Sequence, residues 1–278
     1  MSKVALVTGG NQGLGLALVR RLCLRLGEGG VVHLGARDRE RGEAAVELLR
    51  AEGLRPRLRL IDVTDPAGVR EAADAIRAEH GGIDIVLSNA AARISPGVPA
   101  AQQVRGFVDT NNHGTTRMIE SFAPLLRDGG RFVVVASFFG TLGQLDERLR
   151  PRFREAGSLA EVDRVMAEYV DAVEAGTAAE AGWPDWINIP SKVAQVTSAR
   201  LLARELAPVA RSRDLVVNAV CPGLVDTAAS RPWFSDMSQA LTPDAAAADV
   251  IWPATLPAGE TEPYGELVQY RKIVPYEA

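Results

Sequence analysis

The sequence predicts an α/β fold, doubly wound, with a parallel sheet and helices on both faces. Short β-branched apolar runs alternate with amphipathic stretches, and the first run leads into a glycine-rich turn. At 278 residues, 47% hydrophobic and 24% charged, the chain supplies one large core and is short for two. Residues 1–278 are therefore read as one domain.

The strand runs come in order: Val4 to Val7, Val31 to Leu34, Leu58 to Ile61, Ile83 to Leu87, Phe132 to Val135 and Leu215 to Val220. Between them Leu16 to Leu26, Ala44 to Leu49 and Val69 to Ile76 carry apolar residues at helical spacing. Parallel strands need a crossover, and the crossover is usually a helix, so the alternation implies helices on both faces. The rhythm breaks across 141–182, a charged segment in which Val162, Val165, Met166, Tyr169, Val170 and Val173 recur on one helical face. This predicts a helical insertion packed on the domain. A second irregular stretch, 228–243, carries Trp233, Phe234 and Met237 among polar residues and reads as a lid or pocket wall. No internal repeat or low-complexity linker divides the chain.

Composition narrows the partners. A net charge of −4 and a pI near 5.6 leave no basic stripe for nucleic acid and no polybasic segment for a membrane surface, so a small molecule is expected. The first apolar run begins too early for a signal peptide, and no run reaches the roughly 18 apolar residues of a membrane span. A cytoplasmic location is expected. Cys23 and Cys221 form no disulfide or metal pattern and read as buried thiols; no metal is expected. Lys3, Lys192 and Lys272 are the only lysines in an arginine-rich chain, a skew that suggests a GC-rich genome.

After the first strand come Thr8, Gly9, Gly10, Asn11, Gln12, Gly13, Leu14 and Gly15, followed by a helical pattern. Gly9, Gly13 and Gly15 suit a tight turn whose backbone approaches a pyrophosphate while the new helix aims free N–H groups at the anion. The second strand ends at Gly35-Ala36-Arg37-Asp38, where a dinucleotide fold meets the adenosine ribose. An acidic residue there would favour NAD, whereas the Arg37 fork suits a 2′-phosphate and so NADP(H). Arg37 also reads as a solvated helix-start charge, and Asp38 as a helix cap. Asp62-Val63 fits an adenine contact or a surface loop, and Asn89-Ala90-Ala91 fits a floor beneath the nicotinamide ribose or a plain turn.

With these residues in place, the chain resembles the short-chain dehydrogenase/reductase family from Lys3 to about Ile273, and within it the carbonyl reductase and salutaridine reductase subgroup. The Thr-Gly-Gly-Asn turn, Ala36-Arg37-Asp38, the long insertion, Gly182-Trp183-Pro184, Cys221-Pro222-Gly223 and Gly265-Glu266-Leu267-Val268 carry the subgroup likeness. The resemblance implies a Rossmann fold with a parallel seven-stranded sheet, and it places Asn11, Gln12, Leu14, Pro222, Gly223 and Val225 at the cofactor. Gln12 departs from the lysine common there, which shifts cofactor choice onto Arg37. The insertion resembles one that covers the usual helix-helix dimer surface, which implies a monomer.

The family's chemistry uses a serine to bind the carbonyl, a tyrosine to protonate it, a lysine to hold the nicotinamide ribose and an asparagine to position a water relay. Ser137, Lys192 and Asn111 match three of these positions, and Lys192 is counted with the cofactor residues. Four residues before Lys192, where the tyrosine belongs, stands Asn188. An amide does not ionise in any accessible range; it orients a carbonyl but does not protonate one. Pro190 fits only the first turn of a helix, so the helix bearing Lys192 is expected to start near Asn188, with Asn188 as its N-cap. Tyr169 belongs to the apolar stripe of the insertion.

The resemblance implies an NADPH-dependent reductase whose substrate does not need the tyrosine: an iminium, or a carbonyl protonated from water through Asn111. Non-redox chemistry such as cyclisation, dehydration or isomerisation stays open, as does a cofactor-sensing protein without catalysis. Phe138, Phe139, Trp186, Trp233 and Phe234 lie on segments that border the family's pocket, so a sizeable hydrophobic substrate is expected, with core packing the alternative for each. The composition suggests a bacterial secondary-metabolite pathway.

Overall fold

The computed structural model describes residues 2–278. Its first strand, β1 (Val4–Val7), is buried along its length and pairs in parallel with β2 (Val31–Ala36) on one side and β4 (Ile83–Ser88) on the other. With β3 (Arg57–Leu60), β5 (Leu126–Val135), β6 (Val216–Cys221), β7 (Leu267–Gln269) and β8 (Lys272–Val274), the sheet runs β3-β2-β1-β4-β5-β6-β7-β8. The order reverses between β1 and β4. Such a reversal opens a crevice outside the carboxyl ends of the strands, where a doubly wound sheet takes its ligand.

The seven parallel strands that the resemblance implies are present as β1 to β7, and an eighth strand joins them. The extra strand, β8, runs antiparallel to β7 and is joined to it by Tyr270 and Arg271, both at left-handed φ (49° and 61°). Such a hairpin needs no crossover, so it leaves no helical signal between the two strands.

Alternate residues of β1 point to opposite faces. Val4 and Leu6 join the core beneath α3 (Pro66–His80), α4 (Ala100–Val108), α5 (Gly114–Phe122) and α8 (Asn188–Ala210), whereas Ala5 and Val7 join the core beneath α1 (Gly13–Leu26), α2 (Arg39–Ala51) and α9 (Pro243–Val250). Asp38 caps α2, its carboxylate accepting from the Arg41 N–H at 2.9 Å.

Between β5 and α8 lie α6 (Arg150–Arg154) and α7 (Leu159–Glu174). Ser158 caps α7 by accepting from the Glu161 N–H, while the Glu161 carboxylate accepts from the Gly157 N–H at 2.6 Å. The stripe of α7 is buried from Val162 to Val170, with Tyr169 fully enclosed 4.7 Å from the Trp183 ring, and Val173 packs at its edge. This face lies on α4 and α8. Asp163 accepts from the Thr116 hydroxyl at 2.9 Å and meets His113 Nδ1 at 3.1 Å.

Residues 228–241 form turns without helix or strand, and α9 begins at Pro243. Val225 and Leu241 pair in parallel at the base of this segment. No helix among the described residues is long and apolar enough to cross a membrane. Cys221 is buried; Cys23 is only partly so, because it lies at the edge of the inward face of α1.

Candidate active site

The glycine turn forms because the backbone must reverse within a few residues between β1 and α1. Gly9 and Gly13 take left-handed φ (64° and 52°), and a side chain at Gly15 would fall on the Gly9 carbonyl. Thr8 ties this turn to the end of β4. Its hydroxyl accepts from the N–H groups of Asn89 (2.9 Å) and Ala90 (3.0 Å), and Asn89 Nδ2 donates to the Thr8 carbonyl at 2.9 Å. Asn89 therefore braces the turn.

The start of α1 leaves donors free. Gln12 flanks the helix in extended conformation without a side-chain cap, no acidic residue occupies the first turn, and the first intrahelical bond runs from the Leu16 N–H to the Gln12 carbonyl. The N–H groups at the head of the helix suit an anion such as a pyrophosphate. Thr227, two residues beyond Val225, packs across from Gly13 and walls the turn from the β6 side. Asn11 and Leu14 flank the same turn.

At the carboxyl end of β2, a cleft of about 660 Å³ is lined by Arg37, Arg39, Arg59, Ile61, Asp62 and Asp65. Arg37 is exposed there, with its fork available to a phosphate. One Asp62 oxygen accepts from the N–H and hydroxyl of Thr64, and the Val63 carbonyl accepts from Arg117 at 2.9 Å. Two parts of a dinucleotide thus find suitable groups: free N–H donors for the pyrophosphate and the exposed Arg37 fork, in a cleft of mixed charge, for the adenosine phosphate.

The remaining residues gather around α8. Ser137 follows β5 in extended conformation, its hydroxyl accepting weakly from the Phe139 N–H at 3.3 Å. Asn188 and Lys192 are one turn apart on α8 and share a face. The expected capping role of Asn188 is not met: Ile187 flanks the helix, no side chain caps it, and Asn188 is the first helical residue. Pro190 therefore falls in the first turn, where its missing N–H costs nothing.

Lys192 Nζ donates to Gln195 Oε1 at 2.7 Å. Protein packed around the ammonium pushes the Lys192 pKa down to about 8, against a small opposing pull from Cys221. Cys221 closes β6; burial raises its thiol pKa, and its sulfur accepts from the Gly223 N–H. Gly223 holds φ at 76°, and a side chain added there would run into the Tyr270 hydroxyl.

Asn111 sits in a five-residue π-turn, Asp109–His113, between α4 and α5. The wider turn points its side chain at the loop after β4, where Oδ1 accepts from the Ala92 N–H at 2.8 Å. Its main-chain carbonyl accepts from the Thr115 hydroxyl (2.6 Å) and from Gln195 Nε2 (3.0 Å). Gln195, 2% exposed, thus joins Lys192 to Asn111. Nothing in the sequence alone marks the roles of Gln195, Thr115 and Thr227, or the brace that Thr8 makes to the end of β4. A four-residue step from Asn111 to Thr115 and a three-residue step from Lys192 to Gln195 were visible, but only the fold brings the two helices together.

The aromatic residues divide. Phe139 and Trp186 meet edge to face with ring centres 4.9 Å apart, and Trp233 joins Trp186 at 6.3 Å, so the segment after β6 reaches over the entrance to α8. Trp186 Nε1 is enclosed and finds no acceptor among the described residues. Phe138 and Phe234 are exposed and stand outside this cluster. Far from the crevice, His33, Glu79 and His80 cluster near the amino end of β2; the imidazoles meet at 3.1 Å and Arg59 holds Glu79 at 2.6 Å.

The short chain dehydrogenase family model matches residues 3–146. Over 278 residues the chain is 34% identical to carbonyl reductase [NADPH] 1 and 36% identical to carbonyl reductase [NADPH] 3, both of Mus musculus, covering 98% of each chain in both cases. Among solved structures, salutaridine reductase from Papaver somniferum superposes with a TM-score of 0.79 at 24% identity, over 95% of this chain and 99% of that one. Menthone neomenthol reductase from Mentha piperita gives 0.78 at 24% identity, over 97% and 99%. These two likenesses concern the fold.

Proposed function

Because the chain belongs to the short-chain dehydrogenase family, we propose that it is an NADPH-dependent reductase of a sizeable hydrophobic carbonyl or iminium compound, working without a tyrosine acid. The carbonyl reductases it is similar to carry NADPH in their names. The free N–H groups of the glycine turn and the Arg37 cleft fit that cofactor. When bound, NADPH supplies a hydride.

The observation that carries this reading is the arrangement on α8. Lys192 is held inward beside Cys221 and Asn111, with Asn188 one turn away on the same face and Ser137 at the end of β5. Ser137 and the Asn188 amide are donors suited to orienting a polar atom of the substrate, and neither is an acid in the working range. Lys192 carries its charge near the ribose position and supports the cofactor. Phe139, Trp186 and Trp233 supply an apolar wall for a flat or aromatic body. The insertion covers α4 and α8, consistent with a monomer, and a cytoplasmic enzyme of bacterial secondary metabolism fits the composition.

Steady-state loss of nicotinamide absorbance with a panel of ketones, quinones and cyclic iminium ions tests the proposal. Turnover with at least one class is expected. Complete inertness of a protein that still binds NADPH would sink it and favour the non-redox reading, whose sign is turnover with the NADPH to NADP+ ratio unchanged.

A further inference from the structure

Resting on the reductase reading, we infer that Gln195 closes the proton path to the active site, so that the site suits a substrate reduced by hydride alone: a cationic acceptor of the iminium class rather than a ketone. Gln195 is a positioning residue, acting through Lys192 and Asn111.

Both oxygens of Asn111 already have protein donors. Asn111 Oδ1 is taken by the Ala92 N–H, and the Asn111 carbonyl by Thr115 and Gln195. The Gln195 amide also bonds the Thr115 hydroxyl at 3.2 Å, and its oxygen takes the Lys192 ammonium. A water between Lys192 and Asn111 could pass protons; the amide that spans them does not ionise and passes none. The path also ends in protein, since Asn111, Thr115 and Gln195 are all buried. Asn188 places a second amide where an acid would face the substrate. Two non-ionising groups thus stand where the family's acid and its relay water would be, and the ionisable group left between them, Lys192, has its ammonium hydrogen-bonded to Gln195.

The chemistry separates the two substrate classes. A hydride arriving at the carbon of a C=N⁺ group brings both electrons of the new C–H bond. The π pair becomes the nitrogen lone pair, the positive charge passes to the oxidised nicotinamide, and no proton is taken up. The same hydride on a ketone leaves an alkoxide, which needs a proton, and the one acid nearby, the Lys192 ammonium, has only the Gln195 amide behind it to resupply one. The Phe139, Trp186 and Trp233 faces add to the match, because aromatic rings attract a desolvated cation.

Four proteins test the inference: the unaltered chain, Asn188→Tyr, and Asn188→Tyr combined with Gln195→Ala or with Gln195→Leu. The substrates are an N-methyl dihydroisoquinolinium cation and a tetralone. Alanine opens room for water beside Lys192, whereas leucine removes the amide but keeps water out. The unaltered chain is expected to reduce the cation about 100-fold faster than the ketone. Asn188→Tyr alone should leave ketone reduction low, and adding Gln195→Ala should raise it about 10-fold or more, with no such gain from Gln195→Leu.

A second readout needs no cofactor. The acylation rate of Lys192 in the cofactor-free protein, followed by mass spectrometry with Lys3 and Lys272 as internal references, should rise about tenfold in single Gln195→Ala as its charged hydrogen bond is lost. Unchanged labelling overturns the tether, as does full ketone reduction by Asn188→Tyr alone. Equal rates on both substrates overturn the substrate class. If the unaltered chain binds NADPH yet reduces neither, the reductase reading fails and takes the substrate class with it, while labelling still decides whether Gln195 holds Lys192.

Discussion

Lys192 is a lysine held where its charge is costly. Its folded pKa of about 8 lies below the ordinary 10.5, so between those values the unfolded chain keeps a proton that the folded chain has released. Stability contributed by this group therefore rises with pH across that window and is least at neutrality. Cys221 is the titratable group that faces it. Lys192→Met is expected to be more stable than the unaltered chain at pH 7 by about 1 to 2 kcal/mol, after about 1 kcal/mol is lost to the unpartnered Gln195 oxygen. That advantage should shrink as the pH is raised above 8. Thermal unfolding of both proteins across the range measures it, and a constant difference would refute it. Lys192 stood out in the sequence because lysine is scarce there. Gln195 did not: a glutamine inside a helix has no motif, and its role depends on a carbonyl supplied by a different segment.

At the scale of elements, the π-turn between α4 and α5 is the local feature that most shapes the site. It turns Asn111 toward the loop after β4, and it carries His113, which together with Thr116 receives Asp163 of α7. Beside the packing of α7 on α4 and α8 and the ion pair of Arg105 with Glu174, one carboxylate thus ties the insertion to the π-turn itself. Asp163→Ala removes the acceptor for Thr116 and is expected to cost about 1 to 2 kcal/mol. Limited proteolysis should then cut first near Gly157 or Gly176, the residues bordering α7. Cleavage elsewhere, with these sites still protected, would argue against the join. The buried strands of the parallel sheet and the stripe of α7 were legible because burial on a strand or on one helix face leaves a periodic apolar signal. The π-turn was not, since one extra residue in a helical turn hardly disturbs that period. Nor was β8, three half-exposed residues whose pairing depends on a tight turn.

For the whole molecule, the sheet order sets the crevice and the insertion sets the outer surface. The strand reversal between β1 and β4 brings the glycine turn, Asn89 and the loop after β6 to one edge, while α7 lies across α4 and α8. With α4 and α8 covered by α7, the apolar residues left exposed, such as Leu24, Leu48 and Ile273, are spread over separate elements. Light scattering is expected to give a mass near 29.7 kDa at micromolar concentration; a stable dimer or tetramer would show that another face associates. The doubly wound class and the cofactor end of the crevice were readable because both follow from local order along the chain. At the proposed substrate end the resemblance supplied five aromatic residues, but which of them meet was not readable, because Phe139, Trp186 and Trp233 lie on segments far from one another in sequence.

The Tyr270 hydroxyl occupies the space that a side chain on Gly223 would need. The two positions are forty-seven residues apart by number (270 − 223) yet share one space. A side chain at Gly223 would have to push the half-exposed Tyr270 ring aside as well as hold a left-handed φ. The hairpin, remote from the crevice in sequence, thus bears on one backbone position of the loop after β6, and a smaller residue at Tyr270 would relieve the clash there but not the backbone strain.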